Sequence, residues 1–394
     1  MSAAPRISEL QRRRIIARRH HFAGDADGPE QVVTSVLALH ATDPASPYLS
    51  VLARSRTTSL ADIAAAMYTQ RSLVRWLAMR RTLFVFDRAD VPVVQAAVST
   101  PLAATLRTRL LSRLRRGGTE PPVDGDLADW LDDVTDAADG ALRQLGTATG
   151  AELARAEPRL ATTILPAAAS DQPQNLTSTL LAMMSAQGRL VRSVPGAAWT
   201  VRSHRWEPVT AWWPDGLPSV DPAEAQRNWA IRWLTAFGPA TLDDLQWWTG
   251  WTKTAVRAAL QDLPLVDVDL HGLPGVALEA QLEPAPDTAP TAVLLPALDP
   301  TPMGWKHRDW FLGLDRDLVF DRNGNLGPTV WWDGQLIGAW AVGPDGQLRT
   351  AVPGDYGAEA RVAVDEAAAD LGSRMEGAVV RPVFPTPLER SLRG

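Results

Sequence analysis

Leu73-Val74-Arg75-Trp76-Leu77-Ala78-Met79-Arg80-Arg81-Thr82-Leu83-Phe84-Val85-Phe86 reads as two apolar strands, 73–79 and 82–86, joined by a short turn that carries two arginines. Three helical stretches with apolar residues at three- and four-residue spacing precede it. Ile7, Leu10, Ile15, Ile16 and Phe22 mark 7–22; Tyr48, Leu49, Val51 and Leu52 mark 46–57; Leu60, Ile63, Ala64 and Met67 mark 59–69. Helices followed by a basic-tipped hairpin outline a winged helix, a helix-turn-helix relative whose hairpin touches the DNA backbone or minor groove. Arg80 and Arg81 are thus candidate wing-tip contacts, and Arg12 and Arg13, on the first helix, are placed to lie along a phosphate backbone.

The outline returns twice downstream. Leu176, Leu180, Leu181 and Met184 form one face of a helix over 175–187, stopped at Gln187-Gly188, and 190–194 with 198–202 reads as a hairpin across Pro195-Gly196. Arg192, Arg202 and Arg205 surround this second wing. A third pass runs from 225: a helix to 236, a break at Phe237-Gly238-Pro239, helices capped by Thr241 and Thr252, and strands 265–270 and 276–280 across His271-Gly272. Poor identity between the three passes makes this a repeat of architecture. Beyond Pro284 short strands predominate, with Asp333-Gly334 and Asp345-Gly346 as two-residue turn signals, a helix over 359–371 and a last strand over 378–383. Trp331, Trp332 and Trp340 read as core and hairpin pairs. The expected fold is α+β: winged helices over 1–118, 119–218 and 219–284, and a small antiparallel β-barrel over 285–394.

Composition narrows the chemistry. The chain has 394 residues and no cysteine, which removes disulfides, thiolate nucleophiles and thiolate metal sites. No apolar run approaches a membrane span and no signal peptide is evident, so a cytoplasmic protein is expected. Net charge is −6, yet residues 1–119 carry 18 Arg against 8 Asp and Glu, +10, leaving −16 for the remainder. A basic front segment can neutralise phosphates while the acidic remainder limits indiscriminate binding. Solvated arginine-rich helix faces would give the same count. No glycine-rich loop ends in Gly-Lys, His20-His21 lacks the spacing of a helical metal pair, and no serine sits in a nucleophile elbow, so neither metal nor cofactor is expected.

The candidate site is the corner Leu37-Ala38-Leu39-His40-Ala41-Thr42-Asp43-Pro44-Ala45-Ser46-Pro47-Tyr48, where an apolar periodic segment ends and the next begins. Pro44 pushes Asp43 towards extended backbone, and either Asp43-Pro44 or Ser46-Pro47 can start the next helix. His40, Thr42 and Asp43 therefore meet at a tight bend. As caps they would satisfy helix ends; as a site they would converge on a ligand.

Several stretches together resemble the bacterial winged-helix DNA-binding proteins that include the AlkZ-like glycosylases. They are His40-Ala41-Thr42-Asp43-Pro44, Met79-Arg80-Arg81-Thr82-Leu83, Ala236-Phe237-Gly238-Pro239-Ala240-Thr241 with Trp247-Trp248-Thr249-Gly250, Leu294-Leu295-Pro296-Ala297-Leu298-Asp299-Pro300, and Gly327-Pro328-Thr329-Val330 through Gly338-Ala339-Trp340. The resemblance implies three winged helices and a β-barrel around a cleft, and a monomer that excises alkylated or crosslinked purines from double-stranded DNA. It also implies a corner motif of Gln or His, an apolar residue, then Gln or Asp. His40 and Ala41 fill the first two places and Thr42 departs from the third, so Asp43, or a water held by both, would have to supply the missing reach. A non-catalytic DNA-binding protein, a damage sensor or regulator, is the alternative, and a scaffold for an acidic protein is a weaker third.

Overall fold

The computed structural model describes residues 4–168, 171–194, 198–282 and 289–393. The chain divides into two compact units: Met1–Leu73, Phe84–Arg88 and Arg227–Gly394 form the first, and Val74–Leu83 with Ala89–Gln226 the second. Helices exceed strands throughout, and the α+β class holds. Among the described residues, no helix is long and apolar enough to cross a membrane.

In the first unit an aromatic core forms where the sequence concentrates tryptophan. Trp229 and Trp233 lie on the helix Pro222–Phe237, Trp248 on Leu242–Thr249, and all three are buried with Phe237, Trp305, Phe311 and Trp331. Ring edges meet ring faces, as between Phe237 and Trp305 at 5.2 Å and Trp305 and Trp310 at 5.0 Å, the arrangement aromatic quadrupoles favour. Thr241 and Asp244 close a capping box on the second of these helices. Asp244 Oδ1 also accepts the backbone N–H groups of Lys306 and His307, both at 2.9 Å, so one buried carboxylate joins a helix start to a distant loop.

The helix Glu9–Arg19 differs from its expected role. Ser8 caps it, and Ile15 and Ile16 are buried as the spacing predicts. Arg12, however, is only 5% exposed: its guanidinium sits 4.1 Å from the centroid of the Trp310 ring and 3.9 Å from Asp244. Arg13 donates to the Trp310 carbonyl at 3.1 Å, Arg14 pairs with Asp333, and Arg19 donates to the Gly238 carbonyl. These arginines face their own unit because aromatic faces and helix-end carbonyls offer the guanidinium better partners than water. Arg12 is thereby withdrawn from any phosphate backbone, and Arg13 is committed to a carbonyl.

The strands 265–270 and 273–278 pair with His271 and Gly272 both at positive φ, the two-residue turn whose twist suits a hairpin. The C-terminal region is a four-stranded antiparallel sheet in the order Ala292–Leu295, Thr329–Trp332, Gln335–Val342, Leu348–Ala351. Its first and last strands do not pair, so the sheet is open and the expected barrel is not closed. Helix Gly357–Arg374 packs on it. Gly338 permits close approach within the sheet, since a Cβ there would lie 2.1 Å from the Ala351 carbonyl oxygen. Trp331 and Trp340 are core residues, as expected, and Trp340 donates to the Leu295 carbonyl. The segment 378–383 forms no strand; its Val383 N–H is spent elsewhere, as described below.

The second unit has its own core. Leu131, Val134 and Leu142 of Leu127–Leu145 meet Leu176, Leu180 and Met184 of Leu176–Ala186. Leu190–Arg192 pairs with Trp206–Pro208, not with 198–202 as expected, and Pro195-Gly196 lies outside the described residues. Trp206 explains the choice: its ring is buried, and its backbone N–H donates to the Ala148 carbonyl, fixing it in the strand beside Leu190–Arg192. Thr119–Glu120, Thr163–Ile164 and Gln174–Asn175 form a small further sheet that periodicity did not reveal, each strand being only two residues long.

Candidate functional site

After the helix Pro29–Ser35, Leu37 turns the chain at φ 67° and Leu39–His40 forms a two-residue strand paired with Val85 and Phe84. The His40 backbone is therefore fixed by a ladder, and its ring leans on Phe84 with centroids 4.9 Å apart. His40 is 7% exposed. The Thr42 N–H points at His40 Nδ1 from 3.4 Å. A backbone N–H can only donate, so Nδ1 is the acceptor and the neutral ring carries its proton on Nε2. Thr42 itself is half-buried.

Asp43 is placed differently. It is 3% exposed, and both carboxylate oxygens accept backbone N–H groups: Oδ1 from Ala45 and Oδ2 from Val383, each at 3.1 Å. The void beside it, bounded by Ala45, Leu49, Pro296 and Trp340, measures about 10 Å³, at the lower edge of what one water needs. Asp43 thus clamps the bend to the segment that follows helix Gly357–Arg374, and its carboxylate is engaged at both ends. The corner brings His40 and Thr42 together and turns Asp43 into their support.

The helix that follows, Ser46–Arg54, is held by a polar stripe that sequence reading passed over. Ser46 Oγ donates to the Ala297 carbonyl at 2.7 Å and Ser50 Oγ to Asp299 Oδ2 at 2.7 Å. Arg54 engages Asp299 with a two-pronged contact at 2.8 and 2.7 Å and donates to Thr301 Oγ1 at 2.8 Å. Thr301 in turn meets His20 Nδ1 at 2.8 Å, and His20 Nε2–H donates to the Ala236 carbonyl at 3.0 Å. Arg54 and Asp299 have no exposed side-chain surface. Burial, with the Arg54 charge nearby, holds the His20 pKa well below its usual value, so the ring is neutral and the network carries a single compensated ion pair. Serine at 46 and 50 and arginine at 54 recur every four residues on an otherwise apolar helix, a signal available in the sequence.

The basic candidates fall into three groups. Arg80 and Arg81 are exposed at the turn Met79–Arg81, both with positive φ, in the second unit. Arg192 and Arg202 line a cavity of that unit together with His204. Burial first, then the charges of Arg192 and Arg75, push the His204 pKa down to about 4, and burial with the Arg75 charge lowers that of Arg192 to about 10. Arg205 is committed to Glu152 at 2.8 Å and to Thr147.

A family model described as "AlkZ-like: DNA glycosylase AlkZ-like" matches residues 33–374, a span that takes in the His40 corner, the Met79–Arg81 turn and the C-terminal sheet. Among solved structures the chain is similar to "Streptomyces sahachiroi DNA glycosylase AlkZ", at 20% identity with a TM-score of 0.74, covering 96% of this chain and 99% of that one. At that identity the likeness concerns the fold. No curated protein matches.

Proposed function

The chain belongs to the AlkZ-like DNA glycosylase family, and from that premise we propose that it hydrolyses the N-glycosidic bond of alkylated or crosslinked purines in double-stranded DNA, with His40 and Thr42 at the reacting centre. One observation carries the reading: the family match spans the corner at which a ladder-fixed histidine and a half-buried threonine meet. A purine alkylated at N7 is already cationic and leaves without strong acid assistance. The enzyme need only orient water and stabilise the positive charge developing on the sugar. His40 Nε2–H holds the oxygen of the attacking water while the Thr42 hydroxyl accepts a hydrogen bond from it. The water oxygen bonds to C1′, the glycosidic electron pair departs with the base and quenches its charge, and the water proton passes to solvent. Asp43 positions the pair. No metal or cofactor enters the scheme.

The family resemblance gives this chemistry its frame: three tandem winged helices along a monomeric chain acting in the cytoplasm. Arg80 and Arg81 then act as wing-tip phosphate contacts, with Arg192 and Arg202 on the second wing. Arg80→Ala and Arg81→Ala are expected to weaken duplex binding alike for all sequences, each reducing the slope of log K against log salt by about 1. Salt titrations monitored by fluorescence anisotropy check this, and an unchanged slope in both variants removes the wing from the interface.

Incubation with a duplex carrying N7-methylguanine tests the activity. Released base and an abasic site are expected, with no release from the unmodified duplex. Duplex binding without base release across a panel of alkylated duplexes would instead establish the non-catalytic DNA-binding alternative, which Thr42, standing where the family carries Gln or Asp, favours.

A further inference from the structure

The second unit contains a cavity of about 740 Å³, within the size range of small-ligand sites. Its lining includes the apolar residues Ala151, Ala154, Leu181 and Ala182 and the ring of Trp206. The lining also carries Arg192, Arg202 and His204, and no carboxylate is among its residues. Arg192 lies over the Trp206 ring at 5.0 Å, and its Nε is buried without a hydrogen-bond partner among the described residues.

The sheet aggravates this charge. Arg75 stands directly opposite Arg192 across the antiparallel pair, and Arg75 is itself buried. Like charges at opposed positions destabilise a sheet. Arg205, the nearby arginine with a carboxylate partner, spends its charge on Glu152 and lies outside the lining. What the cavity requires is an anion with an apolar, flat body.

We propose that this cavity binds a nucleotide-sized organic phosphate, the planar ring against Leu181 and Ala182 and the phosphate on Arg192 and Arg202. Asn175 and Ser203, also in the lining, supply neutral hydrogen-bonding groups for the edge of the ring or its sugar. An acyl anion would match the charge and leave those groups facing hydrocarbon. Burial first, and then the charges of Arg192 and Arg75, depress the His204 pKa, and a bound phosphate would offset the contribution of those charges. Two sources present this chemistry: a free nucleotide, and an unpaired nucleotide within a DNA strand. The site stands on the geometry of one unit and does not depend on base excision elsewhere in the chain.

Isothermal titration of the full chain with deoxyadenosine monophosphate, deoxyadenosine and inorganic phosphate tests the proposal. The nucleotide is expected to bind at least about tenfold more tightly than either fragment, because each lacks one half of the recognition. Arg202→Gln, on an exposed segment, and Arg192→Gln should each weaken the nucleotide by about tenfold, and Ala182→Phe should fill the apolar side and abolish binding. Thermal melts verify that the variants fold. Displacement of the bound nucleotide by a single-stranded oligothymidylate, and not by a blunt duplex, identifies an unpaired strand as the source; failure of either to displace it identifies the free nucleotide. Absence of heat with millimolar nucleotide, equal binding by both arginine variants and the parent, or inorganic phosphate binding as tightly as the nucleotide would each overturn the site.

Discussion

Replacing His40 by alanine is expected to lower single-turnover base release from an N7-alkylguanine duplex by about 10²–10³-fold, the range over which removal of one preorganised hydrogen-bond donor acts. Duplex affinity should stay within about twofold, since the ring meets Phe84 and the Thr42 N–H and its loss leaves the basic residues in place. His40→Gln should retain part of the activity, because the family resemblance places Gln or His in that position and an amide can still orient a water. Asp43→Ala provides the contrast. Removing its carboxylate strands two buried N–H groups, at a cost of about 1–3 kcal/mol, so its loss of activity should follow its loss of stability. An active His40→Ala enzyme would move the reacting centre away from this corner.

The second large effect concerns the ion pair beneath the corner. Asp299→Ala leaves the Arg54 guanidinium buried and uncompensated, and a loss of about 3–5 kcal/mol in urea denaturation is expected. The double change Arg54→Met with Asp299→Leu should recover most of that loss, since apolar side chains of similar volume replace a buried ion pair at little cost. The energetic reason is desolvation: each charge alone is far from water, and only the pair is tolerable. A loss below about 1 kcal/mol in Asp299→Ala would show that water reaches Arg54.

Much of this could be read from residues alone, for identifiable reasons. Asp333-Gly334 and His271-Gly272 give their turns because positive φ at two successive positions is a local requirement. The helices Glu9–Arg19, Ser46–Arg54 and Gly357–Arg374 follow from the residue pattern within the segment itself, the first with its Ser8 cap. The misplaced features all depend on partners remote in sequence. Arg12 looks solvent-facing until Trp305 and Trp310 fold over it, nearly 300 residues later. Asp43 reads as a cap or a catalytic anion until the Val383 N–H arrives, and the strand that pairs with Leu190–Arg192 lies at Trp206 because Ala148 holds it there. The barrel expectation failed for a related reason: short alternating strands establish hairpins, and closure depends on whether the first and last strands meet.

The bond from Asp43 to Val383 joins residues 340 positions apart. On a ribosome adding about 5–20 residues per second, the aspartate emerges roughly 17–70 s before its partner has been made. During that interval the bend has no final brace, and a nascent chain cannot hold His40 and Thr42 in their finished relation. Any catalytic competence of this corner consequently waits until Val383 has been made and has docked on Asp43.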